Sequence, residues 1–113
     1  MSDSIKSIGD ADFKTKITGS EKAVLVNFWA NWSAPSKMMM PSLEAVAAEC
    51  REVAVYKLDT DQNASVSNQY GVMSLPTLLI FKKGELVNSL VGAATKAAIK
   101  NMVAAANASG GTA

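Results

Sequence analysis

Ala23-Val24-Leu25-Val26-Asn27-Phe28-Trp29-Ala30 runs directly into Asn31-Trp32-Ser33-Ala34-Pro35-Ser36-Lys37, and this junction decides how the chain folds. The first eight residues are apolar on both faces of an extended chain, with Asn27 the one polar break. Such a segment must be covered from both sides, which is the pattern of a central parallel strand between two helix layers. After Ser33 the pattern changes. Met39, Leu43, Val46 and Cys50 recur at helical spacing, predicting a helix from Ala34 to Cys50. Pro35 is tolerated in its first turn, whereas Pro41 lies inside it, removes one backbone hydrogen bond and should kink it.

Outward from this junction the chain alternates strands and helices. Ile5 to Ile8 reads as a short edge strand. Asp10 is placed to cap a helix that carries Phe13 and Ile17 on one face. Val53 to Leu58 is the next strand, followed by a turn at Asp59-Thr60-Asp61 and a short helix near Ala64–Tyr70. Thr77–Lys82 and Glu85–Val91 flank Lys83-Gly84, a hairpin signal. Thr95 can cap a last helix with Ile99, Met102, Val103 and Ala106 inward. The order βαβαβαββα implies an α/β fold, a central mixed β-sheet with helices on both faces. Residues 1–108 form the expected domain, and residues 109–113 a mobile C-terminal tail.

Composition narrows the function. The 113 residues are 49% hydrophobic, and 11 basic against 10 acidic side chains leave a formal charge of +1. That balance gives no footprint for nucleic acid or an anionic membrane, and no apolar run is long enough to span a bilayer. The polar N-terminus has no secretory apolar segment, so a cytoplasmic protein is expected; the chain is also expected to be a monomer. There is no histidine, which removes the usual general base, serine activator and metal ligand, so neither a metal nor a cofactor is expected. Cys50 is the single cysteine, which excludes an intrachain disulfide and reads as a packing residue.

The chemistry points to the start of the helix after Trp32. First-turn amides lack intrahelical partners and the aligned dipoles make this end partly positive, so a group that must become an anion is stabilised there. A cysteine so placed loses its proton readily, and a second one three residues on could close a disulfide. In this chain the two positions hold Ser33 and Ser36.

FWANWSAPSK (Phe28–Lys37) resembles the active-site segment of the thioredoxin family, which usually reads FWA-x-Trp-Cys-Gly-Pro-Cys-Lys. Lys57–Asn63 (KLDTDQN), Ser74–Glu85 (SLPTLLIFKKGE) and Val91–Ala93 (VGA) resemble three further family segments in the right order. The likeness runs from about Ile5 to Ala106. It implies the thioredoxin fold and protein-disulfide oxidoreductase activity, a thiol–disulfide exchange serving electron transport and redox homeostasis. It places Ser33 at the attacking cysteine and Ser36 at the resolving one. Asn27 stands where the family commonly has a buried acid, and Lys57 where a lysine pairs with that acid. Pro76 falls on the family's cis-proline; only about one X–Pro bond in twenty is cis, so that expectation rests on the resemblance. Trp32, Ala34, Pro35, Ser74, Leu75, Pro76, Gly92 and Ala93 match the surface that docks extended peptide, with Ser74–Leu75 pairing to it as a short added strand. The implied partners are proteins bearing disulfides and, for a thiol-bearing form, a thioredoxin reductase.

The departures from the pattern bear on activity. Serine yields no accessible anion at neutral pH and forms no mixed disulfide, so the chain as written should be redox-inactive. Asn27 cannot carry a proton for the resolving step, as a buried carboxylate could. Ala34 in place of glycine only stiffens the turn. Two readings stand: a disulfide reductase carrying serine for both cysteines, or a natural redox-silent module that binds partners. A serine hydrolase is disfavoured, since no histidine is available to activate Ser33.

Overall fold

The computed structural model describes residues 5–110. Its elements are β1 (Lys6–Ser7), α1 (Phe13–Thr18), β2 (Ala23–Trp29), α2 (Ala34–Glu49), β3 (Val53–Asp59), α3 (Ala64–Gln69), β4 (Thr77–Lys82), β5 (Glu85–Val91) and α4 (Lys96–Gly110). The order is βαβαβαββα, as the alternation of patterns implied. The five strands form one sheet in the order β1-β3-β2-β4-β5, with β1, β3 and β2 parallel and β4 and β5 antiparallel.

Strand β2 is central because both its faces are apolar. Its odd positions Ala23 and Leu25 join Met39, Leu43 and Val46 of α2 and Ile99 and Val103 of α4 in one core cluster. Its even positions Val24, Val26 and Phe28 join Phe13 and Ile17 of α1 and Val66 of α3 in the other. The two-residue period of the strand therefore separates the molecule into two buried layers. Asn27, being odd, belongs to the α2/α4 side. The hairpin joining β4 to β5 turns at Lys83 and Gly84, both with positive φ (54° and 82°), the backbone that a two-residue type I′ connection requires.

Helix α2 runs through Pro41 without interruption. Thr95 caps α4, its Oγ1 accepting from the Ala98 N–H at 3.1 Å. On the surface, Lys96 and Lys100 of α4 both pair with Glu49 at the end of α2, and these ammonium groups hold the Glu49 carboxyl below its ordinary range.

Helix α4 runs to Gly110, and of the expected tail at 109–113 residues 111–113 lie outside the described residues. One expectation is corrected. Asp10 does not cap α1. Its carboxylate accepts from the N–H groups of Ser65 (3.2 Å) and Val66 (2.9 Å), so it caps α3, more than fifty residues away in sequence. Asn63 completes the tie by accepting from the Asp10 N–H at 2.9 Å. The α1 cap position falls on Asp12, whose side chain accepts instead from the Gly9 N–H. Asp10→Ala should therefore lower stability by about 1 kcal/mol, the usual worth of a lost helix cap. Urea unfolding reads the loss, and amide exchange should quicken at Ser65 and Val66 rather than in α1. Quickening confined to α1 would contradict the assignment.

Candidate functional site

Strand β2 delivers the chain to the N-terminus of α2 through a tight turn in which the Ser33 N–H donates to the Ala30 carbonyl at 3.1 Å. Ser33 has extended backbone (φ −93°, ψ 107°) and occupies the N-cap. Its Oγ accepts from the Ser36 N–H at 3.3 Å, and its carbonyl accepts from the Lys37 N–H at 3.1 Å. Pro35 has no N–H to satisfy. The first-turn amides expected to be free for an anion are therefore largely occupied by Ser33 itself. Serine is a favoured N-cap residue, and Ser-Ala-Pro at the start of a helical stripe is the local signal for it.

Both serines are buried, Ser33 at 4% exposure and Ser36 at 0%. The Ser36 Oγ has no hydrogen-bond partner among the described residues, and neither does the Asn27 Oδ1. Asn27 is fully enclosed, and its Nδ2 reaches only the Met40 sulfur at 3.9 Å, a weak acceptor. Lys57 lies opposite Asn27 in the parallel register of β2 and β3. Its amine does not bond the amide and stands 5.7 Å from the centroid of the Trp29 ring, a cation–π distance.

The ladders place the other expected residues at the same end of the sheet. Thr77 pairs with Phe28 on one side and Val91 on the other, so Pro76, Gly92 and the β2–α2 turn share one end. The Leu75–Pro76 bond is cis. The Gly92 N–H donates to the Pro76 carbonyl at 2.8 Å, and Gly92 has φ 97°, a conformation natural to glycine. Pro76 is buried, Leu75 and Gly92 are half-buried, and Ser74, Ala93, Ala34 and Pro35 are exposed. The Ser74 carbonyl already accepts from the Thr77 hydroxyl at 2.6 Å, leaving its second lone pair for any added strand. Trp32 is 71% exposed, with its indole N–H 3.3 Å from the Asp61 carboxylate.

Two neighbours of this end carry no signal in the sequence: Met38 and Met73 are large exposed apolar side chains that no periodic pattern marks, and Val91 is exposed as well. Val72, Met73, Ser74 and Val91 border a depression of about 290 Å³ beside the cis-proline loop. Among the described residues no three His, Cys, Asp or Glu side chains cluster as metal ligands would. No helix there is long and apolar enough to cross a membrane.

The two serines should respond oppositely to truncation. Ser33→Ala removes the cap and should cost about 1 kcal/mol. Ser36→Ala removes a buried hydroxyl with no partner, so stability should hold or rise by about 1 kcal/mol. Paired urea denaturation curves distinguish them, and a loss at Ser36 as large as that at Ser33 would mean its hydroxyl is satisfied.

A family model described as Thioredoxin matches residues 4–105. The thioredoxin of Mycobacterium tuberculosis is 45% identical over 104 residues, covering 88% of this chain and 90% of that protein. That of Streptomyces clavuligerus is 42% identical over 99 residues, covering 88% and 92%. Among solved structures, Malassezia sympodialis thioredoxin (Mala s 13) superposes with a TM-score of 0.81 at 28% identity, covering 90% of each chain.

Proposed function

The chain belongs to the thioredoxin family, and from that premise we propose that it docks disulfide-bearing proteins as extended peptide but exchanges no disulfide with them. The docking surface is Trp32, Ala34 and Pro35 at the start of α2, Ser74–Leu75–Pro76, and Gly92–Ala93. Backbone pairing along Ser74–Leu75 would supply affinity, and the exposed indole an apolar contact. Exchange needs a thiolate and a mixed disulfide, and Ser33 and Ser36 supply neither.

One observation carries the reading that this is a disulfide reductase with serine in both thiol positions. The Ser36 hydroxyl is completely buried and has no partner among the described residues. An unbonded hydroxyl is costly there, whereas a thiol is a weak donor that packs as a small apolar group. The socket suits sulfur better than oxygen. In a thiol-bearing form a thioredoxin reductase would return electrons to the pair, and a cytoplasmic setting would keep it reduced. The second reading, a natural redox-silent binding module, draws support from the cap that Ser33 makes and from Asn27 in the acid position.

The test is a titration of the isotope-labelled chain with a short peptide holding one intramolecular disulfide. Amide and indole signals of Trp32, Ser74, Leu75, Gly92 and Ala93 should shift saturably while the peptide disulfide survives. Shifts confined to another surface would overturn the docking reading. Reduction above a protein-free blank, persisting after Cys50 is alkylated, would overturn redox silence.

A further inference from the structure

The sulfur atoms of the described residues differ widely in exposure. Met39, Met102 and Cys50 are at most 6% exposed, and Met40 is half-buried beside Asn27. The Met39 sulfur is further occupied, accepting from the Ala94 N–H at 3.4 Å. Met38 is 76% exposed and Met73 94%. Their positions are not scattered. Met38 lies three and four residues after Pro35 and Ala34, on the same exposed strip of α2. Met73 immediately precedes Ser74 and borders the depression beside the cis-proline loop. With serine in both thiol positions and Cys50 buried, these two thioethers are the oxidisable sulfurs that solvent reaches most freely among the described residues.

We propose that Met38 and Met73 are oxidation sites through which a peroxide weakens docking at this surface. The thioether sulfur attacks one peroxide oxygen, the O–O bond breaks, and an S–O bond forms. The departing oxygen leaves as water after taking the proton of the transferred one. Sulfur is oxidised by two electrons and the peroxide is reduced. The product is a polar, chiral sulfoxide where an adaptable apolar side chain stood. Its effect on binding rests on the docking reading above; the oxidation itself does not.

The experiment has two arms that separate these. In the first, the folded chain is treated with dilute hydrogen peroxide and mapped by fragment mass spectrometry. Met38 and Met73 should gain one oxygen at least about tenfold faster than Met39 and Met102, with the difference vanishing in urea. Equal rates in the folded chain would overturn the assignment. In the second arm, the disulfide peptide is titrated before and after peroxide, into the unchanged chain and into Met38→Leu/Met73→Leu. Before the peptide is added, the protein passes through dithiothreitol, which returns any cysteine oxidised to a disulfide or sulfenic acid but leaves sulfoxides, and is then desalted free of it so that the peptide disulfide survives. The dissociation constant of the unchanged chain should rise about fivefold, and that of the leucine variant should stay at its own untreated value. An unchanged constant after full oxidation, or an equal rise in both proteins, would overturn the regulatory effect. If the untreated chain binds no peptide, the docking reading and the regulation fall together, and the mapping arm still decides the oxidation sites.

Discussion

Ser33→Cys combined with Ser36→Cys is expected to give the chain a disulfide-reducing turnover that the two serines cannot support. Cysteine at position 33 stands at the N-terminus of a sixteen-residue helix. Removing the Ser33 oxygen frees the Ser36 N–H, and together with the helix dipole that amide favours the thiolate. The second thiol, one turn on, can then resolve the mixed disulfide formed by the first. The exchange should be tolerated by the fold. Losing the serine cap costs about 1 kcal/mol, while relieving the unpartnered Ser36 hydroxyl returns a similar amount. Ser33→Cys alone lacks the resolving thiol and should capture substrates as lasting mixed disulfides. Turnover of an insulin-type disulfide, with mixed-disulfide capture on the single variant, reads both outcomes. A double variant that folds and closes its own disulfide, yet reduces no protein substrate even with Asn27→Asp added, would make the binding-module reading the better one.

Asn27→Asp should have the next largest effect, on rate and on stability together. The position is fully buried, and its oxygen meets no donor among the described residues. A carboxyl there is desolvated, so its folded pKa rises above the unfolded value of about 3.9. As pH climbs past the unfolded value, the unfolded chain releases its proton first. The variant should lose about 1.4 kcal/mol per pH unit until the folded carboxyl also ionises. Below pH about 4 it should match the unchanged chain in its pH trend. Lys57 sets the upper limit of the loss, because its amine can leave the Trp29 ring for a new carboxylate opposite it in register. In the double-cysteine background the same proton carrier should raise turnover by up to about a hundredfold. Urea midpoints across pH 4 to 8, with and without the substitution, check the first half. A stability difference that does not vary with pH would mean the carboxyl is solvated. Turnover equal in double and triple variants would remove Asn27 from the resolving step.

What the sequence by itself determined was the set of apolar faces. The double-sided run at Ala23–Ala30 specified a central strand. The stripe Met39, Leu43, Val46, Cys50 specified one face of α2, and Lys83-Gly84 the hairpin. These are local periodicities, and burial of each face follows from the hydrophobic effect without reference to any particular partner. The candidate site positions came from a resemblance carried by four short segments rather than from spacing alone. Tertiary structure decided what each polar atom meets. Asp10 reads locally as a cap for α1, yet two amides of α3 brought beside it by the fold compete for the same oxygens and win. Lys57 rests over an indole instead of an acid, and the Ser36 and Asn27 oxygens are enclosed without partners among the described residues. Met38 and Met73 stay in solvent although their chemistry matches that of the buried Met39. A hydrogen bond or a solvent-exposed sulfur depends on positions matched to within a few tenths of an ångström across segments distant in sequence. Apolar periodicity sets which side of an element is buried and leaves those distances to the packing of the layers.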